Sequence, residues 1–126
     1  MNKYHSKKTK TADGITFDSR KEARRWQHLR LLESRGEIQD LRRQVEYELV
    51  PNQYVVIKRY SERTGKRLKD EQRLVERRVC YVADFVYTRD GETIVEDTKS
   101  PVTRTKDYII KRKLMRYLNG IAISEI

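Results

Sequence analysis

The chain has 126 residues, 38% of them charged, and its 29 Lys and Arg against 19 Asp and Glu give a formal charge of +10. That length suits one domain with a modest core, and eight Tyr, one Trp and periodic apolar runs distinguish it from a disordered polyelectrolyte. No stretch is apolar enough to span a membrane, the first residues lack the apolar core of a signal peptide, and a single cysteine, Cys80, excludes an internal disulfide and fits a reducing cytoplasmic setting.

The positive charge implies a polyanionic partner, nucleic acid before anionic membrane, since no long helix pairs a basic face with a strongly apolar one. Residues 1–12 read as a basic arm, in which Lys7 and Lys8 either lie on phosphate or belong to a frayed terminus. His5 and His28 have no second His or Cys at ligand spacing, so neither is expected to hold a metal.

A helix is expected from Ser19, a good N-cap with Glu22 three residues later at capping-box spacing. Ala23, Trp26, Leu29 and Leu32 form its apolar stripe, and Gly36 is its stop. Extended stretches follow at Gln44–Val50 and Gln53–Tyr60, split by Pro51-Asn52. Residues 61–78 are charged throughout and read as a solvated insertion with a hairpin tip around Thr64-Gly65. It is either a loop without a role of its own or a basic flap against DNA.

Val79–Tyr87 and Thr93–Lys99 read as strands joined at Asp90-Gly91, a tight hairpin signal. A helix over roughly 103–119 presents Ile110, Leu114, Tyr117 and Leu118 as its apolar face and ends at Asn119-Gly120. A last strand, 121–126, is then expected parallel to the strand that ends near Lys99. The predicted class is α/β, a mixed central sheet flanked by helices, within a single domain spanning 1–126.

If Asp90 and Gly91 are the two loop residues, Arg89 faces Glu92 and Asp84 faces Asp97. Directly opposed side chains share a sheet face, about 5 Å apart at Cβ, and Lys99, two residues beyond Asp97, shares it too. Two facing carboxylates repel unless a cation lies between them. Mg²⁺ or Mn²⁺ suits such a pair, and it acidifies bound water and neutralises charge on a phosphodiester under attack. Lys99 would orient the water and stabilise the transition-state charge, while Val82, Val86 and Val95 limit solvent. The plainer alternative is a surface ion pair of Asp84 and Lys99 with Asp97 solvated. Glu96 alternates to the opposite face, so Asp97 is the better candidate.

Asp84 followed across a turn by Asp97-Thr98-Lys99 resembles the bipartite signature of the PD-(D/E)xK, restriction-endonuclease-like superfamily, with Ala83-Asp84 in place of Pro-Asp. The predicted αβββαβ order resembles that superfamily's core. The strings YHSKKT, GITFDSRKEARRW, YVADFVY, VEDTKS and YIIKRKLM look like a phage-borne family of small proteins of unknown function assigned to it. This resemblance implies a Mg²⁺- or Mn²⁺-dependent DNA endonuclease in the cytoplasm of a bacterial host. It implies Glu22, Asp84 and Asp97 as metal ligands and Lys99 as the fourth catalytic residue. Holliday-junction resolvases are similar, which points to branched or recombination-intermediate DNA, and cutting two strands favours a homodimer.

Glu22 keeps two readings, cap and ligand. Gln44 resembles a polar residue found near such sites, or is an ordinary strand-edge amide. Tyr108 and Lys111 either reach a phosphate or belong to the helix surface. The rivals are a non-catalytic DNA-binding or packaging accessory with a nuclease-like fold, and an RNA-directed protein.

Overall fold

A computed structural model describes residues 8–126. It separates into two compact units, one ending at Tyr47 and resuming at Tyr81–Ile126, the other Glu48–Cys80. The elements in chain order are β1 (Thr9–Lys10), β2 (Thr16–Phe17), α1 (Arg20–Ser34), β3 (Gln39–Val50), β4 (Gln53–Ile57), β5 (Glu71–Glu76), β6 (Val79–Arg89), β7 (Glu92–Asp97), α2 (Lys106–Asn119) and β8 (Ser124–Glu125).

α1 begins where its cap directs. The Ser19 hydroxyl accepts the Glu22 N–H at 3.1 Å, satisfying one of the free donors of the first turn. Ala23, Trp26, Leu29 and Leu32 are buried as expected, and they pack with Phe17, Ile38, Phe85 and Tyr87 into one core cluster. Gly36, at φ 75°, follows the Arg35 cap.

Of the expected arm over residues 1–12, residues 1–7 lie outside the described residues, and Thr9–Lys10 is no arm but pairs with Thr16–Phe17 as a hairpin. Its turn is pinned from inside: the Trp26 indole N–H donates to the Asp13 carboxylate at 2.7 Å, and Thr11 also bonds Asp13. The hairpin seats Phe17 at 1% exposure against α1.

The main sheet has the order β3-β6-β7-β8. β6 and β7 are antiparallel, while β7 and β8 are parallel, so the sheet is mixed. Together with α1 and α2 the order is α-β-β-β-α-β, the predicted α/β class. Asp90 and Gly91 have φ 51° and 78°, the left-handed pair that a two-residue hairpin loop demands. The predicted register holds from Arg89↔Glu92 to Phe85↔Glu96, and Asp84 and Asp97 are the next positions outward.

Three expectations are corrected. β3 starts at Gln39, so Gln44 lies inside the strand, exposed and at φ 50°, with a second left-handed residue at Asp40. Val82 is 45% exposed and shields nothing, unlike Val86 and Val95, which are buried. α2 is capped by the Thr105 hydroxyl and ended by Gly120 at φ 65°, but it buries Tyr108 and Met115 rather than the predicted stripe. Ile110, Tyr117 and Leu118 are exposed, Tyr117 at 86%. Apolar residues occur all round this helix, so its sequence alone admits more than one inward face.

In the second unit β4 and β5 pair antiparallel, Tyr54 opposite Leu74 and Ile57 opposite Glu71, with a register shift beside Gln53. The turn lies at Thr64-Gly65 as expected, where Gly65 at φ 70° donates to the Ser61 carbonyl at 2.8 Å. β5 falls within the charged stretch, where no strand is predicted. It is held by backbone pairing, with no residue of it buried.

The two faces of α2 should separate in urea unfolding. Met115→Ala is expected to cost about 2–5 kcal/mol, whereas Tyr117→Ala should stay within about 0.5 kcal/mol of the parent.

Candidate active site

The site is built where the sheet end meets the start of α1. β6 carries Asp84, β7 ends on Asp97, and Thr98 and Lys99 follow directly. The Asp84 carboxylate accepts from the Thr98 N–H at 2.9 Å and from its hydroxyl at 2.7 Å. The Asp97 carboxyl accepts from the Tyr81 hydroxyl at 2.7 Å, lies 3.2 Å from the Lys99 ammonium, and feels the neighbouring Asp84 carboxylate. The predicted pairing of Asp84, Asp97 and Lys99 is therefore present, and Asp97 is buried rather than solvated.

Backbone contacts hold the segment in place. The Lys99 N–H donates to the Ile126 carbonyl at 3.0 Å and the Ile126 N–H to the Asp97 carbonyl at 2.9 Å, extending the parallel pairing with β8. Lys21, in the first turn of α1, donates its ammonium to the Lys99 carbonyl at 2.9 Å. The Lys99 ammonium itself sits 4.1 Å from the centroid of the Tyr108 ring, a favourable cation–π placement.

Glu22 is buried at 7% exposure. Its backbone N–H makes the helix cap, yet its carboxyl accepts no hydrogen bond among the described residues. The return bond of a capping box is absent, so the cap leaves the side chain uncommitted. Burial raises the Glu22 carboxyl to about 7, helped by the neighbouring charges of Asp84 and Asp18 and opposed by Arg43 and Lys99. Burial also raises Asp97 to about 7, reinforced by the hydrogen bond and charge of Asp84, against the pull of Tyr81 and Lys99. The Tyr81 hydroxyl is raised by burial and by Asp97.

Glu96 behaves as its alternation predicts. Buried at 1% exposure on the α1 side, it receives the Arg25 guanidinium through two bonds, 2.7 and 2.5 Å, and the Tyr87 hydroxyl. Its charge is fully compensated, so it is a structural carboxylate.

The other predicted contacts scatter. Lys7 lies outside the described residues, and Lys8 is exposed just before β1. Gln44 and Lys111 make no hydrogen bond or ion pair with these carboxylates among the described residues. Tyr108 joins the site through its ring, but its hydroxyl is committed to Glu125 at 2.6 Å, which also takes Arg112 at 3.1 Å and Arg104 at 3.0 Å. His28 is exposed on α1.

Sequence reasoning missed Tyr81, Thr98 and Arg43. Thr98 was open to notice as the residue between Asp97 and Lys99. Tyr81 stands three positions before Asp84 and reads as an ordinary strand aromatic. The Arg43 guanidinium stacks over Phe17 at 4.5 Å and Trp26 at 5.7 Å, its charge pulls on Glu22, and its buried Nε has no hydrogen-bond partner among the described residues. Nothing in the local sequence signals that role.

The donors are hard carboxylate oxygens, and Mg²⁺ is held in many sites by one or two of these with waters and phosphate oxygens. Asp84 and Asp97 fit that description as a pair. Glu22 adds charge to the site, but among the described residues no three His, Cys, Asp or Glu side chains are gathered as a metal-holding group.

A pH dependence of stability follows from the raised carboxyls. The folded state keeps protons that the unfolded state releases near pH 4–4.5, so this contribution is complete below that range and lost as pH rises through about 7. Without metal, the melting temperature should fall between pH 5 and pH 8. Asp97→Asn should flatten that fall, and an equal fall in parent and variant would remove Asp97 as its source.

No curated protein and no solved structure matches the chain. One family model does, over residues 1–120, which is nearly all of the sequence and includes every residue of the carboxylate cluster. The chain belongs to the family described as protein of unknown function (DUF1064).

Proposed function

We propose that this protein is a metal-dependent DNA nuclease that hydrolyses phosphodiester bonds. The observation that carries the reading is the pair of Asp84 and Asp97 at the end of neighbouring strands, the first held by Thr98, the second by Tyr81, with the Lys99 ammonium 3.2 Å from Asp97. The likeness of Asp84 and Asp97-Thr98-Lys99 to the PD-(D/E)xK signature supports it, and the likeness to resolvases favours branched DNA as substrate. The net charge of +10 suits a polyanion.

Asp84 and Asp97 would hold Mg²⁺ or Mn²⁺, with Glu22 adding negative charge. When bound, such a cation supplies Lewis acidity toward a phosphoryl oxygen and lowers the pKa of water. Thr98 orients the Asp84 carboxylate through two hydrogen bonds, and Tyr81 does the same for Asp97. Lys99, steadied by Asp97 and the Tyr108 ring, would orient the attacking water and meet the negative charge that grows on the phosphate.

A second reading, DNA binding without cleavage, draws on the lack of a three-member metal-holding group among the described residues and on the existing Asp97–Lys99 ion pair. A cleavage panel separates the two. Single-stranded, duplex, flap and four-way DNA are incubated with Mg²⁺ or Mn²⁺ and with EDTA. Cutting in metal alone is expected, strongest on the branched substrates, and Asp84→Asn should lower the rate at least about 100-fold while DNA stays bound. A parent that cuts none of the four, yet binds them, establishes the passive reading.

Glu22→Gln isolates the uncommitted carboxyl. The cap uses the backbone N–H, so the variant should melt at or above the parent temperature while losing most of its Mg²⁺-dependent activity. Full activity would confine the site to Asp84, Asp97 and Lys99.

Lys99→Met should keep Mn²⁺ affinity, read by calorimetry, and lose turnover. Metal affinity that collapses with the lysine would make it part of the binding site instead.

A further inference from the structure

The Glu48–Cys80 unit carries the β4–β5 ribbon. A two-stranded ribbon is marginal in water without a partner surface, yet Tyr54, Val56 and Val75 of this ribbon are 53%, 59% and 50% exposed. Nine Lys and Arg against five Asp and Glu give the unit a net charge of +4. Two ion pairs join residues of this unit, Arg67–Asp70 and Arg73–Glu71. Arg59, Arg63, Lys66 and Lys69, gathered around the turn between β4 and β5, are exposed and have no acidic partner among the described residues.

Unpaired cations interleaved with exposed apolar and aromatic side chains call for a partner that is both anionic and able to receive a ribbon. A second copy would bring two +4 surfaces together. B-form DNA neutralises them, and its major groove admits a two-stranded β-ribbon and offers thymine methyl groups to apolar side chains. The deep, narrow major groove of duplex RNA does not admit one.

We infer that the β4–β5 ribbon is a DNA-binding arm that grips duplex DNA, with Arg59, Arg63, Lys66 and Lys69 on the phosphates and the ribbon's apolar side chains against the groove. The inference rests on the proposed function only for DNA as the polyanion, and it needs no cleavage.

The test is binding of the full chain to a fluorescein-labelled blunt DNA duplex in EDTA, by anisotropy, from about 50 to 200 mM salt. The probed variant carries Arg59→Ser, Arg63→Ser, Lys66→Ser and Lys69→Ser together. Its affinity should drop at least about tenfold, and its slope of log K against log salt should become shallower by about 3.6 units, about 0.9 per lost phosphate contact. Arg59→Lys with Arg63→Lys keeps the charge and should bind like the parent, which ties any loss to charge rather than to misfolding. Unchanged affinity and slope in the serine variant overturn the inference. So does sedimentation in which the serine variant loses self-association but not DNA binding, because the ribbon then serves a second copy. Cutting by the parent in Mg²⁺ is read separately. A chain that never cuts but loses affinity with the arm charges sinks the nuclease and keeps the arm, and a chain that cuts while ignoring those charges sinks the arm alone.

Discussion

Asp84 and Asp97 are neighbours at the end of two paired strands, one of them buried. Like charges side by side repel, and burial strips away the water that would screen them. Much of the surrounding structure holds this arrangement in place. Thr98 spends both its N–H and its hydroxyl on Asp84, Tyr81 gives its hydroxyl to Asp97, and Lys99 supplies the nearest positive charge. The chain after β7 is fixed in turn by the Ile126 backbone and by Lys21 of α1.

The two sides of the same strand treat acid differently. Glu96 faces α1 and receives a forked guanidinium and a phenol, so a charge that would be costly alone is matched within the fold. Its neighbour Asp97 is matched only in part, and Glu22 accepts no hydrogen bond at its carboxyl among the described residues. A fold that can neutralise one buried carboxylate so completely, one residue away, leaves the others under-compensated. Buried carboxyls raised in this way are a mark of functional sites. A divalent cation and a phosphate together would supply the missing partners.

The Glu48–Cys80 unit shows the opposite imbalance, an excess of positive charge beside exposed apolar side chains. Its strands are held by backbone pairing around a tight turn, and side-chain burial contributes little. Such a ribbon gains most from a partner with a regular anionic surface.

What the sequence determined by itself was local. Asp90-Gly91 set the register of β6 on β7, because a two-residue loop leaves no slack and side chains alternate with a period of two; that register puts Asp84 and Asp97 on one face, with Lys99 two residues on. Ser19 and Gly120 marked helix ends through the chemistry of their own turns. The tertiary structure decided everything that depends on which surfaces meet. The inward face of α2 is Tyr108 and Met115 because that side meets the rest of its unit, while its other apolar residues stay in water. Thr9–Lys10 is a strand because the turn after it is fastened to Trp26, and β5 exists because β4 lies opposite. The left-handed backbone at Gln44 has no side-chain pattern to announce it. Tyr81, Arg43 and Glu22 converge on the carboxylates from β6, β3 and α1, and convergence across such distances in sequence is a property of packing, which no local spacing records.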